Sequence, residues 1–366
     1  MLMIIFVLIL LIQVIDSSNS NDGINSIILP EREAYPQILA HRGACGYVPE
    51  HSLPAYQLAM DMMTDYIEPD LCLSKDGIFV ALHDLLLDDV TNVADIKKFE
   101  HRKKTKVVEG ETMTGYFVND FLYSELLELR LNQRLSYRTT LYNGKFQIPS
   151  LDEIMELAFN HYNNTNRLVG IYVELKHPSY FLELGFNMAN MLLDSLKRGG
   201  YAINGDNTYN NMTNVIPCII ECFDANTLIY LHEKTSLPLI QLLEAPNTTD
   251  DRNNYWTDER LKVIASYAQG IGPEKTFFVS QPLITSRDAV KRAHNFGLKI
   301  HPWTFREDNG IGTMFDNNFQ QELDYYYCCL GIDALFSEFP DVNREVIQRN
   351  KILGTCSYDC SAKSYN

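Results

Sequence analysis

Positive charge is scarce in this chain. Its 366 residues include 31 Lys and Arg against 47 Asp and Glu, which gives a formal net charge of -16 at pH 7. Nucleic acids and anionic membranes repel so acidic a surface, so the composition argues against a general binder of either. An anionic substrate is not excluded, because a cation bound in a cleft reverses the local field.

Zinc-type cysteine pairs, internal repeats and low-complexity segments are also missing. The eight cysteines form no C-x-x-C pair, so a structural zinc site is not indicated. Cys218 and Cys222 stand where buried thiols on a strand are expected. Cys356 and Cys360, in a polar tail (351–366), are candidates for disulfide bonding, which fits an oxidising compartment. The remaining composition, 46% hydrophobic and 21% charged, is that of an ordinary globular protein.

The N-terminal segment is apolar but short. Residues 1–15 are too few to span a bilayer comfortably and are followed by small polar residues, so we interpret 1–18 as a signal peptide. No Lys or Arg precedes the run, and an uncleaved anchor is the alternative. Polar stretches typical of surface loops carry glycosylation sequons at Asn163, Asn211 and Asn247. With no apolar C-terminal tail, we expect a protein secreted or held in the secretory lumen, without stable membrane insertion after signal cleavage.

Short apolar runs alternate with helix-like segments from residue 36 to residue 350. Strands are predicted at 37–40, 66–73, 78–82, 168–175, 215–222, 237–243, 264–271, 298–304 and 334–337. Helices are predicted at 52–63, 151–159, 181–197, 225–234 and 286–296. This alternation predicts an α/β fold with a parallel sheet, and about eight such units favour a closed TIM (β/α)8 barrel. The rhythm breaks at 85–149, which we interpret as an insertion subdomain over the barrel mouth after the second strand region.

Three carboxylates follow apolar runs. Glu68 and Asp70 are two apart on a predicted strand, so both side chains should lie on one face, which in a barrel is the lumen. Glu174 adds a third carboxylate at the end of the next strand. Inward carboxylates are costly unless they are paired or bind a metal, and carboxylate oxygens suit Ca²⁺ or Mg²⁺. The alternative is a structural network in which Arg42 and Lys176 pair with these acids.

Two histidines and an arginine stand at other strand ends. His41 and His83 offer proton transfer near neutral pH, and Arg42 offers a planar donor fork for phosphate oxygens. Gly43 would let the backbone turn tightly beside a ligand. All of them follow strands, as the active-site face of a barrel requires. We interpret the other histidines of interest as structural or surface residues: His51, His161, His177, His294 and His301.

These segments resemble the glycerophosphodiester phosphodiesterase family. The matching motifs are Ala-His-Arg-Gly at 40–43, Pro-Glu-His-Ser at 49–52, Glu-Pro-Asp at 68–70, His-Asp at 83–84, Glu-Leu-Lys at 174–176, Gly-Ile-Gly-Pro at 270–273, His-Pro-Trp-Thr at 301–304 and the segment 331–340. They occur in order along the chain. The long insertion and the Gly-Ile-Gly-Pro segment are most similar to the periplasmic, calcium-dependent branch of the family.

The resemblance implies a TIM barrel that hydrolyses glycerophosphodiesters to sn-glycerol 3-phosphate and an alcohol. In such an enzyme Glu68, Asp70 and Glu174 would bind Ca²⁺, or alternatively Mg²⁺. His41 and His83 would form the acid/base pair. The residues implied to contact or support the substrate and its phosphate are Arg42, Glu50, Lys176 and Trp303.

The chain departs from the family pattern at two places, and two other functions stay open. Ser337-Glu338 replaces the usual Thr-Asp, and Trp303 replaces a Tyr, so the substrate preference is left open. A lysophospholipase D-like or sphingomyelinase D-like enzyme would need an apolar patch for an acyl chain. The segments Tyr-Phe-Val at 116–118 and Phe-Leu-Tyr at 121–123 could form that patch or the core of the insertion. A catalytically silent binding protein is the third reading, although none of the expected site residues is missing.

Overall fold

The computed structural model describes residues 36–201, 203, 216–245, 256–279, 283–353 and 360. The predicted signal peptide (1–18), the sequons at Asn211 and Asn247, and Cys356 lie outside these residues. Within the described residues, no helix has both the length and the apolar character needed to cross a membrane.

Parallel strands form a barrel. The strands are β1 (Gln37–His41), β2 (Tyr66–Glu68), β3 (Asp70–Leu73), β4 (Phe79–Ala81), β5 (Lys104–Val108), β6 (Glu111–Gly115), β7 (Gly170–Leu175), β8 (Cys218–Cys222), β9 (Leu239–Leu243), β10 (Gly270–Pro273), β11 (Lys299–Ile300) and β12 (Ala334–Ser337). In the part of the chain that the structure describes, eight of them pair in parallel in the order β11-β10-β9-β8-β7-β2-β1-β12. A bridge between Phe305 and Ser337 brings the chain after β11 against β12. The prediction of a (β/α)8 barrel is thus confirmed.

Helices follow most strands and share a hydrophobic core with them. They are α1 (Leu53–Asp61), α2 (Tyr123–Leu126), α3 (Leu151–Thr165), α4 (Pro178–Glu183), α5 (Met188–Arg198), α6 (Ala225–His232), α7 (Asp258–Ala265), α8 (Thr276–Val279), α9 (Leu283–Asn295), α10 (Phe319–Asp324) and α11 (Pro340–Leu353). Local sequence sets their ends. Ser52 caps α1 with Pro54 in the first turn, and Ser150 with Glu153 forms a capping box on α3.

A separate apolar cluster lies on the lumen side of the strands. Its buried members are Leu39, Tyr66, Tyr172, Ile219, Ile240, Ala334 and Phe336. Neighbouring strand residues such as Ile38 and Ile171 belong instead to the cluster shared with the helices. Because strand side chains alternate between faces, this division fixes which residues of each strand point into the barrel.

Several predicted boundaries were wrong, each for a local reason. The strand predicted at 66–73 is two strands, β2 and β3, because Pro69 has no N–H to donate to the ladder. The strand predicted at 78–82 is β4, which pairs antiparallel with β3 as a hairpin rather than as a barrel strand. The helix predicted at 181–197 is interrupted by Gly185 at φ +90°. Most of the strand predicted at 264–271 is the end of α7 and a turn.

The segment 85–149 packs against the barrel through apolar side chains. It contains the hairpin of β5 and β6 and the short helix α2. Tyr116, Phe117, Val118 and Phe121 are buried and belong to the same cluster as the strand–helix core. The segment therefore buries these four side chains in a core that it shares with the barrel, and Leu122 of the predicted patch stays exposed. Most of the apolar patch that an acyl-chain site would need is thus buried.

Asp333 ties the start of β12 to β11, and its loss is expected to destabilise the barrel. It accepts hydrogen bonds from His294 Nε2 at 2.7 Å, Lys299 Nζ at 3.0 Å and the Ile300 amide at 3.0 Å. Burial alone would raise the pKa of Asp333, but the hydrogen bond and charge of His294 hold it below its usual range. We expect Asp333→Ala to lower the free energy of unfolding at pH 7 by about 2–3 kcal/mol in urea titrations.

The pH dependence of this effect has a defined sign. Because the pKa of Asp333 is lower in the folded than in the unfolded state, the stabilisation is complete above the unfolded pKa and is lost as the pH falls. The difference between Asp333→Ala and wild type should therefore shrink below about pH 4. Asp288→Ala, at an exposed position of α9, is the control and should change little. A constant difference down to low pH would contradict the role assigned to the carboxylate.

Candidate active site

The carboxyl ends of the barrel strands bring most of the predicted site residues to one end of the barrel. His83 was expected at the end of a barrel strand but joins them from the loop after β4, the second strand of the hairpin. Four strands place a titratable side chain two residues after an apolar lumen residue: His41 after Leu39, Glu68 after Tyr66, Glu174 after Tyr172 and Glu221 after Ile219. They surround a cleft of about 1080 Å³. Its lining includes these predicted site residues: His41, Arg42, Glu68, His83, Glu174, Lys176 and Trp303. Asp70 and Glu50 are buried behind it.

The turn after β1 places the backbone and the side chain of Arg42 against three carboxylates. Gly43 has φ +82°, and a Cβ at this position would lie 2.6 Å from the carbonyl carbon of Ala55, so only glycine fits. The Arg42 amide donates to Glu68 Oε2 at 2.8 Å, and Arg42 Nε lies 3.2 Å from Asp70 Oδ2. Arg42 Nη1 donates to Glu50 at 3.2 and 3.3 Å. Its guanidinium is therefore held rigidly at the edge of the cleft.

Glu68, Asp70 and Glu174 converge as predicted. Each offers a carboxylate oxygen within 4.8 Å of the others, and all three are buried. Lys176 Nζ donates to Glu174 Oε1 at 2.9 Å, and His51 Nε2 lies 2.9 Å from Asp70 Oδ2. His51 thus belongs to the support of this cluster rather than to the cleft.

Electrostatic repulsion within this cluster is only partly compensated. Burial, together with the charges of Asp70 and Glu174, raises the pKa of Glu68 well above its usual range. Burial also raises the pKa of Glu174 to about 8, although Lys176 opposes the shift. Burial would likewise raise the pKa of Asp70, but Arg42 and Lys176 keep it low. Three buried carboxyl groups thus face only two neighbouring cations, and without a further cation the cluster stays near neutral by binding protons.

A divalent cation fits these residues. The buried Glu68 Oε1 has no hydrogen-bond partner among the described residues, so a purely structural network with Arg42 and Lys176 leaves one oxygen unsatisfied. All three side chains offer carboxylate oxygens as ligands, which suit Ca²⁺ or Mg²⁺ better than a softer metal. The geometry supports the metal-site interpretation over the structural network.

The two predicted acid/base histidines are held by different carboxylates. His41 Nδ1 lies 3.1 Å from Glu338 Oε1, and Arg138 Nη2 holds the other Glu338 oxygen at 2.5 Å. His83 Nδ1 lies 2.6 Å from Asp84 Oδ1. Burial, followed by the charge of Arg42, lowers the pKa of His41 to about 3 and also lowers that of His83. Both imidazoles are therefore neutral near pH 7, and each keeps its Nε2 free of the carboxylate contact.

Glu221 is a fourth carboxylate that the sequence analysis missed. It lies on β8 opposite Glu174 in register, is 2% exposed, and lines the cleft. Its Oε2 has no hydrogen-bond partner within the described ranges. The missed signal is a single charged residue inside the apolar run 215–222, two positions after a lumen residue. Burial and the neighbouring carboxylates raise the pKa of Glu221 well above its usual range, so it is a fourth buried carboxyl group that a cation at this end of the barrel would favour in its charged form.

The remaining predicted substrate residues differ in exposure to the cleft. Trp303 Nε1 donates to the Gly272 carbonyl at 2.7 Å, and the indole meets the Phe223 ring edge-on at 5.8 Å between centroids. Trp303 lines the cleft. Glu50 does not line it and instead contacts Arg42, so its contribution to a substrate would be indirect.

Comparison with known proteins agrees with this geometry. Residues 41–342 match the glycerophosphoryl diester phosphodiesterase family. A glycerophosphodiester phosphodiesterase of Arabidopsis thaliana is 36% identical over 324 residues, which cover 85% of this chain and 85% of that protein. One from Haemophilus influenzae is 28% identical over 346 residues, covering 85% of this chain and 89% of that protein.

Solved structures share the fold. A putative glycerophosphoryl diester phosphodiesterase from Silicibacter pomeroyi aligns with a TM-score of 0.63 and 19% identity, over 89% of this chain and 96% of that one. An Oleispira antarctica phosphodiesterase, solved in complex with the product sn-glycerol-3-phosphate, aligns with a TM-score of 0.57 and 20% identity, over 86% and 97%. Fold and sequence together define a barrel hydrolase of phosphoric diesters. The chain belongs to the glycerophosphoryl diester phosphodiesterase family.

Proposed function

We propose that this protein hydrolyses glycerophosphodiesters such as glycerophosphocholine or glycerophosphoethanolamine to sn-glycerol 3-phosphate and an alcohol. The supporting observation is that two neutral imidazoles and one guanidinium line the same cleft as Glu68 and Glu174, which converge with Asp70 buried behind them. We assign the carboxylates of Glu68, Asp70 and Glu174 to a divalent cation, Ca²⁺ first and Mg²⁺ as the alternative. The more specific likeness to the periplasmic, calcium-dependent branch stays a prediction.

The chain's own residues supply binding and proton transfer. When bound, a divalent cation would contribute charge stabilisation at the phosphate oxygens. Arg42, with its remaining N–H groups at the cleft edge, donates to the same phosphate, and Lys176 adds a second positive charge. One of the two imidazoles, of His41 or His83, removes a proton from the nucleophile, which is water or the neighbouring glycerol hydroxyl. The other imidazole takes up a proton from solvent at Nε2 and in that protonated form protonates the leaving alcohol oxygen. If the glycerol hydroxyl is the nucleophile, the first product is a cyclic phosphate, which water then opens to sn-glycerol 3-phosphate.

Two observations support the proposed secretory location. Cys360 of the C-terminal tail forms a disulfide with Cys329, as expected in an oxidising compartment. Asn163 is exposed, although it lies in the last turn of α3 rather than in the predicted loop. Cys218 and Cys222 are buried free thiols, as predicted.

Substrate choice tests the proposal directly. With Ca²⁺ present, we expect glycerophosphocholine to yield sn-glycerol 3-phosphate in an enzyme-coupled assay. Lysophosphatidylcholine should react far more slowly, because the aromatic residues of 116–121 are buried and offer no acyl-chain patch. A preference for lysophosphatidylcholine would favour the lysophospholipase D-like alternative, and no turnover of either diester would favour a silent binding protein.

A further inference from the structure

Arg134, in the segment 85–149, contacts two carboxylates on different parts of the site. Its Nη1 lies 2.7 Å from Asp84 Oδ2, and its Nη2 donates to Glu50 Oε1 at 2.6 Å. The three residues come from separate stretches of chain: the loop after β4, the turn before α1, and the polar stretch after α2. One planar guanidinium thus bridges segments that are otherwise far apart in sequence.

Each of these carboxylates also holds a residue of the proposed machinery. Asp84 presents its other oxygen to His83 Nδ1 at 2.6 Å, and Glu50 accepts from Arg42 Nη1. The contacts form one continuous chain of charged groups: His83, Asp84, Arg134, Glu50 and Arg42. At one end is a proton-transfer group, and at the other end is the guanidinium proposed to hold the phosphate.

Arg134 stands outside the cleft itself. It is absent from the cleft lining, whereas His83, Asp84 and Arg42 belong to it. Its side chain is 21% exposed, so solvent screens its attraction to the two carboxylates only in part. A direct contact with substrate is therefore not its role.

We infer that Arg134 is a positioning residue that fixes the phosphate-binding guanidinium of Arg42 and the imidazole of His83 relative to each other. This inference rests on the proposed function. It gives the segment 85–149 a part in catalysis, because the geometry at the phosphate then depends on how this segment packs on the barrel.

The expected effect is large for a residue that does not touch the substrate. Without Arg134, Glu50 keeps one cationic partner and can pull Arg42 away from the phosphate, while Asp84 is free to turn with His83. A misplacement of about 1 Å at reacting groups costs roughly 10²-fold in rate. We expect Arg134→Met to lower kcat by about that factor, with a smaller change in KM.

Arg102 provides a matched control in the same segment. It pairs with Glu125 through two contacts at 2.5 and 3.0 Å, its side chain is 24% exposed, and it does not line the cleft. Arg102→Met should therefore perturb the segment to a similar degree in thermal unfolding but leave kcat unchanged. Arg134→Lys should recover only part of the activity, because a single ammonium group cannot bridge both carboxylates in this geometry.

The decisive experiment compares these variants in steady-state kinetics, thermal unfolding and calorimetric binding of sn-glycerol 3-phosphate. Arg134→Ala is also assayed with added guanidinium ion, which should restore part of kcat if the bridge itself matters. Arg134→Met with unchanged kcat, or with no greater loss than Arg102→Met, would overturn the inference and leave the proposed function intact. If wild type hydrolyses no glycerophosphodiester, the proposed function fails. Weaker sn-glycerol 3-phosphate binding by Arg134→Met alone would then still support the bridge, and equal binding would reject it.

Discussion

Replacing His41 or His83 with Asn is expected to lower kcat on a glycerophosphodiester by about 10²–10⁴-fold, the usual contribution of a positioned acid or base. Both imidazoles line the cleft, and each has its Nδ1 beside a carboxylate. Neutral imidazole with its other nitrogen available is the form that can accept a proton and return it. Asn keeps a polar group at the Nδ1 position, so the loss should fall on proton transfer rather than on packing.

Kinetics and folding must be measured on the same preparations. Circular dichroism and thermal unfolding should show that both variants keep the fold. His232→Asn, at an exposed position of α6, is the control and should keep wild-type turnover. Because the two groups act in one reaction, the double variant should lose less than the product of the single losses. A single variant that retains most of the wild-type kcat would remove that histidine from the mechanism.

Most of the site could be predicted because its chemistry follows local rules. In a parallel barrel all strands end at the same rim, so residues such as His41, Glu68 and Glu174, each placed after an apolar run, meet without further information. The glycine at 43 was recognisable for the same reason, since a tight turn after a strand needs one. Period-two alternation also indicates Glu221, which lies two positions after the lumen residue Ile219.

What could not be predicted depends on contacts between distant segments. Arg138 reaches Glu338 across 200 residues, and nothing in the polar stretch around it distinguishes it from a surface arginine. Pro69 lacks a backbone N–H donor, so a break in the strand can be predicted there. The consequence of the break cannot: Glu68 and Asp70 lie on different strands and still converge. That convergence depends on β3 continuing beside β7 after the break, which is a property of the assembled sheet.

Removal of divalent cations is expected to abolish hydrolysis, and Ca²⁺ or Mg²⁺ should restore it. The reason is the buried charge of Glu68, Asp70 and Glu174, for which the described residues provide too few cations. The same site predicts a readout that is independent of turnover. A cation that binds only the folded state stabilises it by about 2.7 kcal/mol at a hundred times its dissociation constant. Wild type should therefore melt at a higher temperature in Ca²⁺ than after chelation.

Glu174→Gln separates a cation site from a structural ion-pair network. In a cation site the variant loses both turnover and most of the Ca²⁺-dependent rise in melting temperature. After chelation it should be no less stable than wild type, because the Glu174 carboxyl group, with its pKa raised to about 8, is mostly protonated near pH 7 and is replaced by a neutral amide of the same shape. In a structural network the variant would leave Lys176 without its carboxylate partner and would be less stable with or without Ca²⁺. Wild type itself would then show no Ca²⁺-dependent rise in melting temperature. Glu183→Gln, at an exposed position of α4, should behave as wild type in every condition.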